Sequence, residues 1–161
     1  MKAKTIDGMK NELWEKAFEY VVNDRERVIA LAMHLATFGV EESMEDIDGY
    51  IDNCYLVYTD KEADEAVREY IEETVWAFTP SFLQAHTGVS IDTIREMQEK
   101  LSEDANEAIT AMIKDFDDFV DDAIACDGRG HFLARYDSEE NVVTFQNGLF
   151  EEVTYFIYRV D

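Results

Sequence analysis

The sequence predicts an α+β fold, a mainly helical body with a small C-terminal three-stranded antiparallel sheet. Three observations lead there. Apolar residues recur at helical spacing over most of the chain before Asp127. After it come the short runs "HFLARY", "NVVTFQ" and "VTYFIYRV", rich in β-branched and aromatic residues and separated by the turn sequences "DSEEN" and "QNG". With 161 residues, 47% hydrophobic and 12% aromatic, the chain can bury one core, so a single domain over residues 1–161 is expected.

The elements follow in order. Leu13, Ala17, Tyr20 and Val21 place a helix over Thr5 to about Val22. Asp24 reads as the cap of a second helix, Arg25 to Phe38, stopped by Gly39. Its stretch "RVIALAMHLATF" is apolar nearly all round, which makes it central. "EESMEDIDGYIDNC" holds a short helix weakened by Gly49, and "CYLVY" reads equally as a strand or a buried link. "TDKE", Thr59 to Glu62, is a capping box opening a helix to about Trp76, with Ala63, Ala66, Val67, Tyr70, Ile71, Thr74 and Val75 inward. Pro80 breaks it, and Ser81 or Pro80 opens a short turn ending near Gly88. Ser90 caps the next helix, with Ile91, Ile94, Met97 and Leu101 as its stripe and a break near Ser102. "DANEAITAMIKDFDDFVDDAIA" continues helical, with Ile109, Ile113, Phe116, Val120 and Ile124 as its apolar face. No internal repeat is present.

Charge is the strongest signal. Fourteen bases against 37 acids leave −23. The N-terminal helical segment, residues 1–38, holds six of each and is neutral. The acidic helical region, residues 39–126, holds 24 acids and five bases, net −19, and the β-meander, residues 127–161, is −4. A field of this sign repels nucleic acid and anionic membrane and attracts basic protein surfaces. No apolar run reaches the ~20 residues of a membrane span, and the N-terminus lacks a signal peptide's apolar core. Cys54 and Cys126 make no disulfide framework, so reduced core thiols and a cytoplasmic location are expected.

The acids fall in rows at helical neighbour spacing, where carboxylates stand ~5–6 Å apart. The first row is Glu62, Glu65, Glu69, Glu72 and Glu73; the second is Asp92, Glu96, Glu99 and Glu103; the third is Asp115, Asp118 and Asp122. Such rows imitate the phosphates of a duplex strand, one charge per ~3.4 Å of rise. A solvated face that keeps the chain soluble is the plainer reading of any one row. "DIDG", Asp46 to Gly49, fails the EF-hand register, because Met44 and Tyr55 fall on ligand positions. His34, His86 and His131 are widely separated, with no paired metal spacing, and His34 reads as a hydrogen-bonded core residue. No cofactor, metal or catalytic motif is expected. "DGRGH" gathers Asp127, Arg129 and His131; it reads first as a helix-to-sheet joint, with Gly128 at a left-handed C-cap, then as a partner contact or reactive centre.

Three stretches, "YLVYTDKEADEAVREYIEETVWAF", "DGRGHFLARYDSEEN" and "YFIYRVD", resemble a family of small acidic proteins encoded by phages and other mobile elements. Its members read T-D-E-E-A-D and D-G-R-G-H-x-L-A-x-Y-D-G and close on a Y-x-Y-R-type strand. The likeness covers residues 54–161 and departs at Lys61, where an acid is usual, and at Ser138, where a glycine is usual. It implies the interior of a bacterial host cell, where small acidic proteins block nucleic-acid-binding defence enzymes. Charge and resemblance together lead to the expectation of a non-enzymatic nucleic-acid mimic, an antirestriction or anti-CRISPR type of inhibitor. Its partner would be a basic groove on a host DNA- or RNA-binding protein, with no direct contact to nucleic acid or membrane. The oligomeric state, a dimer included, stays open. The alternatives are an adaptor binding through apolar surface over residues 76–89, around Trp76, Phe78 and Phe82, and an enzyme centred on Asp127, Arg129 and His131.

Overall fold

The computed structural model describes residues 24–161, so the helix expected from Thr5 to Val22 lies outside the described residues. The fold is α+β and mainly helical, with a three-stranded antiparallel sheet. Two compact units divide the described residues: 24–60 with 141–161, and 61–140. No helix among the described residues is long and apolar enough to cross a membrane.

In the first unit, helix α1 is described over residues 24–36, and α2 spans Met44–Tyr50. Strands β1 (Tyr55–Tyr58), β2 (Asn141–Gln146) and β3 (Glu152–Arg159) form a sheet in the order β1-β3-β2. Val57 lies opposite Ile157, and Val143 opposite Tyr155. The core joins Val28, Leu31 and Leu35 of α1 with Ile47 of α2 and Val57, Tyr155 and Ile157 of the sheet. One carboxylate lies inside it. Glu26 is buried and accepts hydrogen bonds from the Tyr155 hydroxyl at 2.9 Å and from Asn147 Nδ2 at 3.0 Å. The same Asn147 shapes the β2–β3 turn, where its Oδ1 accepts the N–H groups of Leu149 and Glu151. A buried carboxylate needs such donors, since burial without them costs several kcal/mol. α1 is less central than its apolar sequence implies: Met33 is exposed, and His34 is half-buried, edge-on to Phe38 and Tyr55.

The second unit is helical. α3 spans Asp60–Thr74, starts one residue after Thr59, and buries Ala63, Val67 and Ile71. A 3₁₀ turn, Val75–Ala77, ends it. Thr79 caps α4 (Pro80–Thr87), which stops at Gly88 with φ +74°. Ser90 caps α5 (Ile91–Leu101), and the expected break is a 3₁₀ turn from Ser102, whose φ is +50°. α6 (Asn106–Met112) and α7 (Phe116–Leu133) are separate helices, because Ile113 turns extended and Asp115 restarts the chain as an N-cap. The break moves the buried face of α7 to Phe119, Val120 and Ala123, leaving Phe116 and Ile124 half-buried. Phe119 centres an aromatic cluster with Phe78 at 5.0 Å and Phe82 at 5.2 Å.

The sheet corrects one expectation. "HFLARY" is no strand, and residues 127–161 are no three-stranded meander; β1 supplies the third strand. Gly128 interrupts α7 at φ +77° and ψ +157°, a region open essentially to glycine alone. The chain then resumes one helical turn, closed by Ala134 N–H to the Gly130 carbonyl at 2.8 Å. Phe132, Leu133 and Ala134 are all buried. Three consecutive buried residues suit a helix end packed on a core, not a strand with alternating faces.

The return loop explains two more residues. A Cβ on Gly130 would sit 2.5 Å from the Ser138 carbonyl oxygen, so only glycine lets the loop lie against the helix end. Ser138 adopts φ +61°, the left-handed region that favours glycine. Two substitutions should therefore act oppositely in urea unfolding followed by circular dichroism. Ser138→Gly is expected to stabilise by about 0.5–1 kcal/mol. Gly130→Ala is expected to destabilise by roughly 1–3 kcal/mol.

Candidate functional site

The "DGRGH" residues fall into two places. Arg129 is held inside the second unit, its side chain only 11% exposed. Its Nε donates to Glu140 Oε2 at 2.8 Å and its Nη2 to Glu140 Oε1 at 3.3 Å, a two-point grip. Its Nη1 donates to Asp64 Oδ1 of α3 at 2.9 Å. The guanidinium thus ties the end of α7 to α3 and to the last residue of the return loop. Asp127 and His131 point elsewhere. Both are exposed and border a cleft of 440 Å³ floored by Tyr70, Phe78, Phe82 and Phe132. The three residues of the enzyme alternative are therefore split between a clamp and a cleft rim. Of the residues named for the adaptor alternative, Phe78 and Phe82 are half-buried members of the aromatic cluster that also line this cleft, and Trp76 is half-buried.

The expected core thiols also differ. Cys126 is exposed, and Cys54 is half-buried in the first unit. A hydrogen bond to the Asp161 carboxylate pushes the Cys54 thiol up from its ordinary range, which suppresses its thiolate. The "DIDG" acids serve a helix start, where Ser43 caps α2 and its hydroxyl donates to Asp46.

The acidic rows are exposed apart from Glu62, which is half-buried, but several members have local work. Asp115 caps α7 by accepting the Asp118 N–H at 3.1 Å. Glu65 pairs with Lys61, Asp92 with Arg95, and Glu96 with Lys100, each along its own helix. Such exposed pairs add little stability, a median of ~0–1 kcal/mol, yet they neutralise the carboxylates involved. Glu69, Glu72, Glu73, Glu99 and Glu103 form no ion pair among the described residues.

Amide side chains join the segments that carry those five. Asn106 Nδ2 donates to the Glu72 carbonyl at 2.8 Å, and its Oδ1 accepts the Trp76 N–H at 3.0 Å. Gln98 Nε2 donates to the carbonyls of Trp76 and Phe78 at 2.7 and 2.8 Å. These bonds satisfy orphan groups at the end of α3 and pin it to α5 and to the start of α6. Glu69, Glu72 and Glu73 near the end of α3, and Glu103, Asp104 and Glu107 next to Asn106 in the chain, are all exposed. The third row behaves differently. His86, the last basic residue of α4, places Nε2 3.2 Å from Asp122 Oδ2, and Asp118 lies beside them. Residue spacing alone could not reveal this group, since His86 is remote in sequence from both aspartates.

Comparison of the chain with protein-family models, curated proteins and solved structures found no match.

Arg129→Lys tests the clamp. Lysine keeps the charge but cannot reach Asp64 and Glu140 with a planar fork. Urea unfolding should show a loss of roughly 1.5–3 kcal/mol, the range of a hydrogen bond to a charged group.

Proposed function

We propose that the chain is a non-enzymatic acidic inhibitor of phage type, which binds a basic nucleic-acid groove of a host defence protein through carboxylates of its helical unit. One observation carries the reading: Glu69, Glu72 and Glu73 of α3 and Glu103 before α6 are exposed, form no ion pair among the described residues, and belong to segments that Asn106 joins through the Glu72 carbonyl. The unit's charge balance supports it. Residues 61–140 hold 21 acids and seven bases, and five of those bases already pair with acids inside the unit. The excess negative charge is therefore left for solvent or for a partner.

Unpaired carboxylates recur along one helix. Glu69 and Glu73 stand four residues apart on α3, about 6 Å of rise. Repulsion along such a ladder costs a few tenths of a kcal/mol per pair, and a cationic groove relieves it. The resemblance to acidic phage proteins supplies the setting, a bacterial host whose nucleic-acid-binding enzymes carry basic grooves.

The test is competition. Duplex DNA should displace the protein from a basic host partner, and affinity should fall at least about tenfold between 50 and 200 mM salt. A variant carrying Glu69→Gln, Glu72→Gln, Glu73→Gln and Glu103→Gln should bind more weakly with a shallower salt slope, while its unfolding midpoint stays at or above the parent's. Binding that ignores both salt and these four substitutions would contradict the reading.

A further inference from the structure

We propose that His86, Asp118 and Asp122 bind one divalent transition-metal ion, with zinc(II) the best match to the donor set. Asp118 and Asp122 stand four residues apart on α7, so their carboxylates share one face. His86 comes from a different element, at the end of α4. Its imidazole is the observation that separates this group from the many exposed acids. The side chain is only 9% exposed. It packs edge-on against Phe119 at 5.1 Å and beside Phe82 at 4.9 Å. The backbone is held too, because the His86 carbonyl accepts the Lys114 N–H at 3.1 Å. A ring fixed from both sides presents Nε2 3.2 Å from Asp122 Oδ2.

The distances suit a shared ion. One ligand atom from each of the three residues lies within 4.8 Å of the others. Zinc takes nitrogen and carboxylate oxygen at ~2.0–2.2 Å, which sets its ligands about 3–3.5 Å apart. The His86–Asp122 separation of 3.2 Å already meets that, and Asp118, within 4.8 Å of both, is the ligand that must close in. A neutral imidazole with two carboxylates carries two negative charges, which a divalent ion balances. The imidazole favours zinc and its neighbours over calcium and magnesium, which prefer all-oxygen sets. The aromatic floor beneath the ring gives the site an apolar backing, and the exposed aspartates leave coordination positions open to water.

The experiment uses the full chain, stripped by a chelator and titrated with zinc chloride by calorimetry, with cobalt(II) absorption as a second readout. Saturable binding of one equivalent is expected, with a cobalt ligand-field band of the same stoichiometry. Asp118→Asn and Asp122→Asn should each weaken zinc by at least the roughly 10–100-fold that losing an outer-shell partner costs. Both changes lie on the surface, and unchanged circular dichroism should show that the fold persists. Magnesium chloride should give no saturable heat. Absence of one-equivalent zinc binding would overturn the proposal and leave an ordinary histidine–aspartate contact. Zinc affinity unchanged in the double Asn variant would also overturn it, by placing the ion elsewhere on the acidic surface.

Discussion

The second unit is organised by one cation. Arg129 sits almost out of solvent and spends its guanidinium on Asp64 of α3 and Glu140 of the return loop. A charge withdrawn from water must be matched closely, and two carboxylates in hydrogen-bonding geometry do this. The neighbouring glycines make the arrangement possible. Gly128 takes a backbone conformation closed to other residues, and Gly130 leaves room for the Ser138 carbonyl to lie against the helix end. Arginine between two glycines is thus a local solution to ending a helix while bonding sideways to two other segments.

The rest of the unit's chemistry follows from how its few bases are used. Five of them are committed within the unit, three along their own helices and two between elements. Asp115 is used as a helix cap, and Asp122 faces His86. Subtracting these local uses leaves fewer acids than the rows imply. Glu69, Glu72, Glu73, Glu99 and Glu103 keep their charge without an ion pair among the described residues, and the functional proposal rests on them and not on the D-G-R-G-H block.

Much of the fold was legible in the sequence because its signals are local. Ser90 announced α5, Pro80 and Gly88 bounded α4, and Ser102 marked a break, since caps and turns depend on neighbouring residues. What was misread depends on distant residues. "HFLARY" has the composition of a strand, yet Leu133 is buried and Phe132 packs on Tyr70 of α3 and on Phe78 in the link before α4. "YLVY" was ambiguous alone and becomes a strand by pairing with β3, about a hundred residues later. The acidic surface was half-legible: helical spacing located the rows, but the Asn106 and Gln98 bonds that join their segments carry no charge signature. The same limit hid His86, whose partners are assembled only when α4 meets α7.

The role of Arg129 can be read directly by ¹⁵N–¹H NMR of its Nε–H group. A clamp bonded at 2.8 Å to Glu140 predicts a single sharp Nε–H resonance, protected from exchange with water and insensitive to salt at 0.5 M. A signal lost to rapid exchange, or one that moves with salt as an exposed arginine does, would contradict it and return the D-G-R-G-H block to the list of binding surfaces.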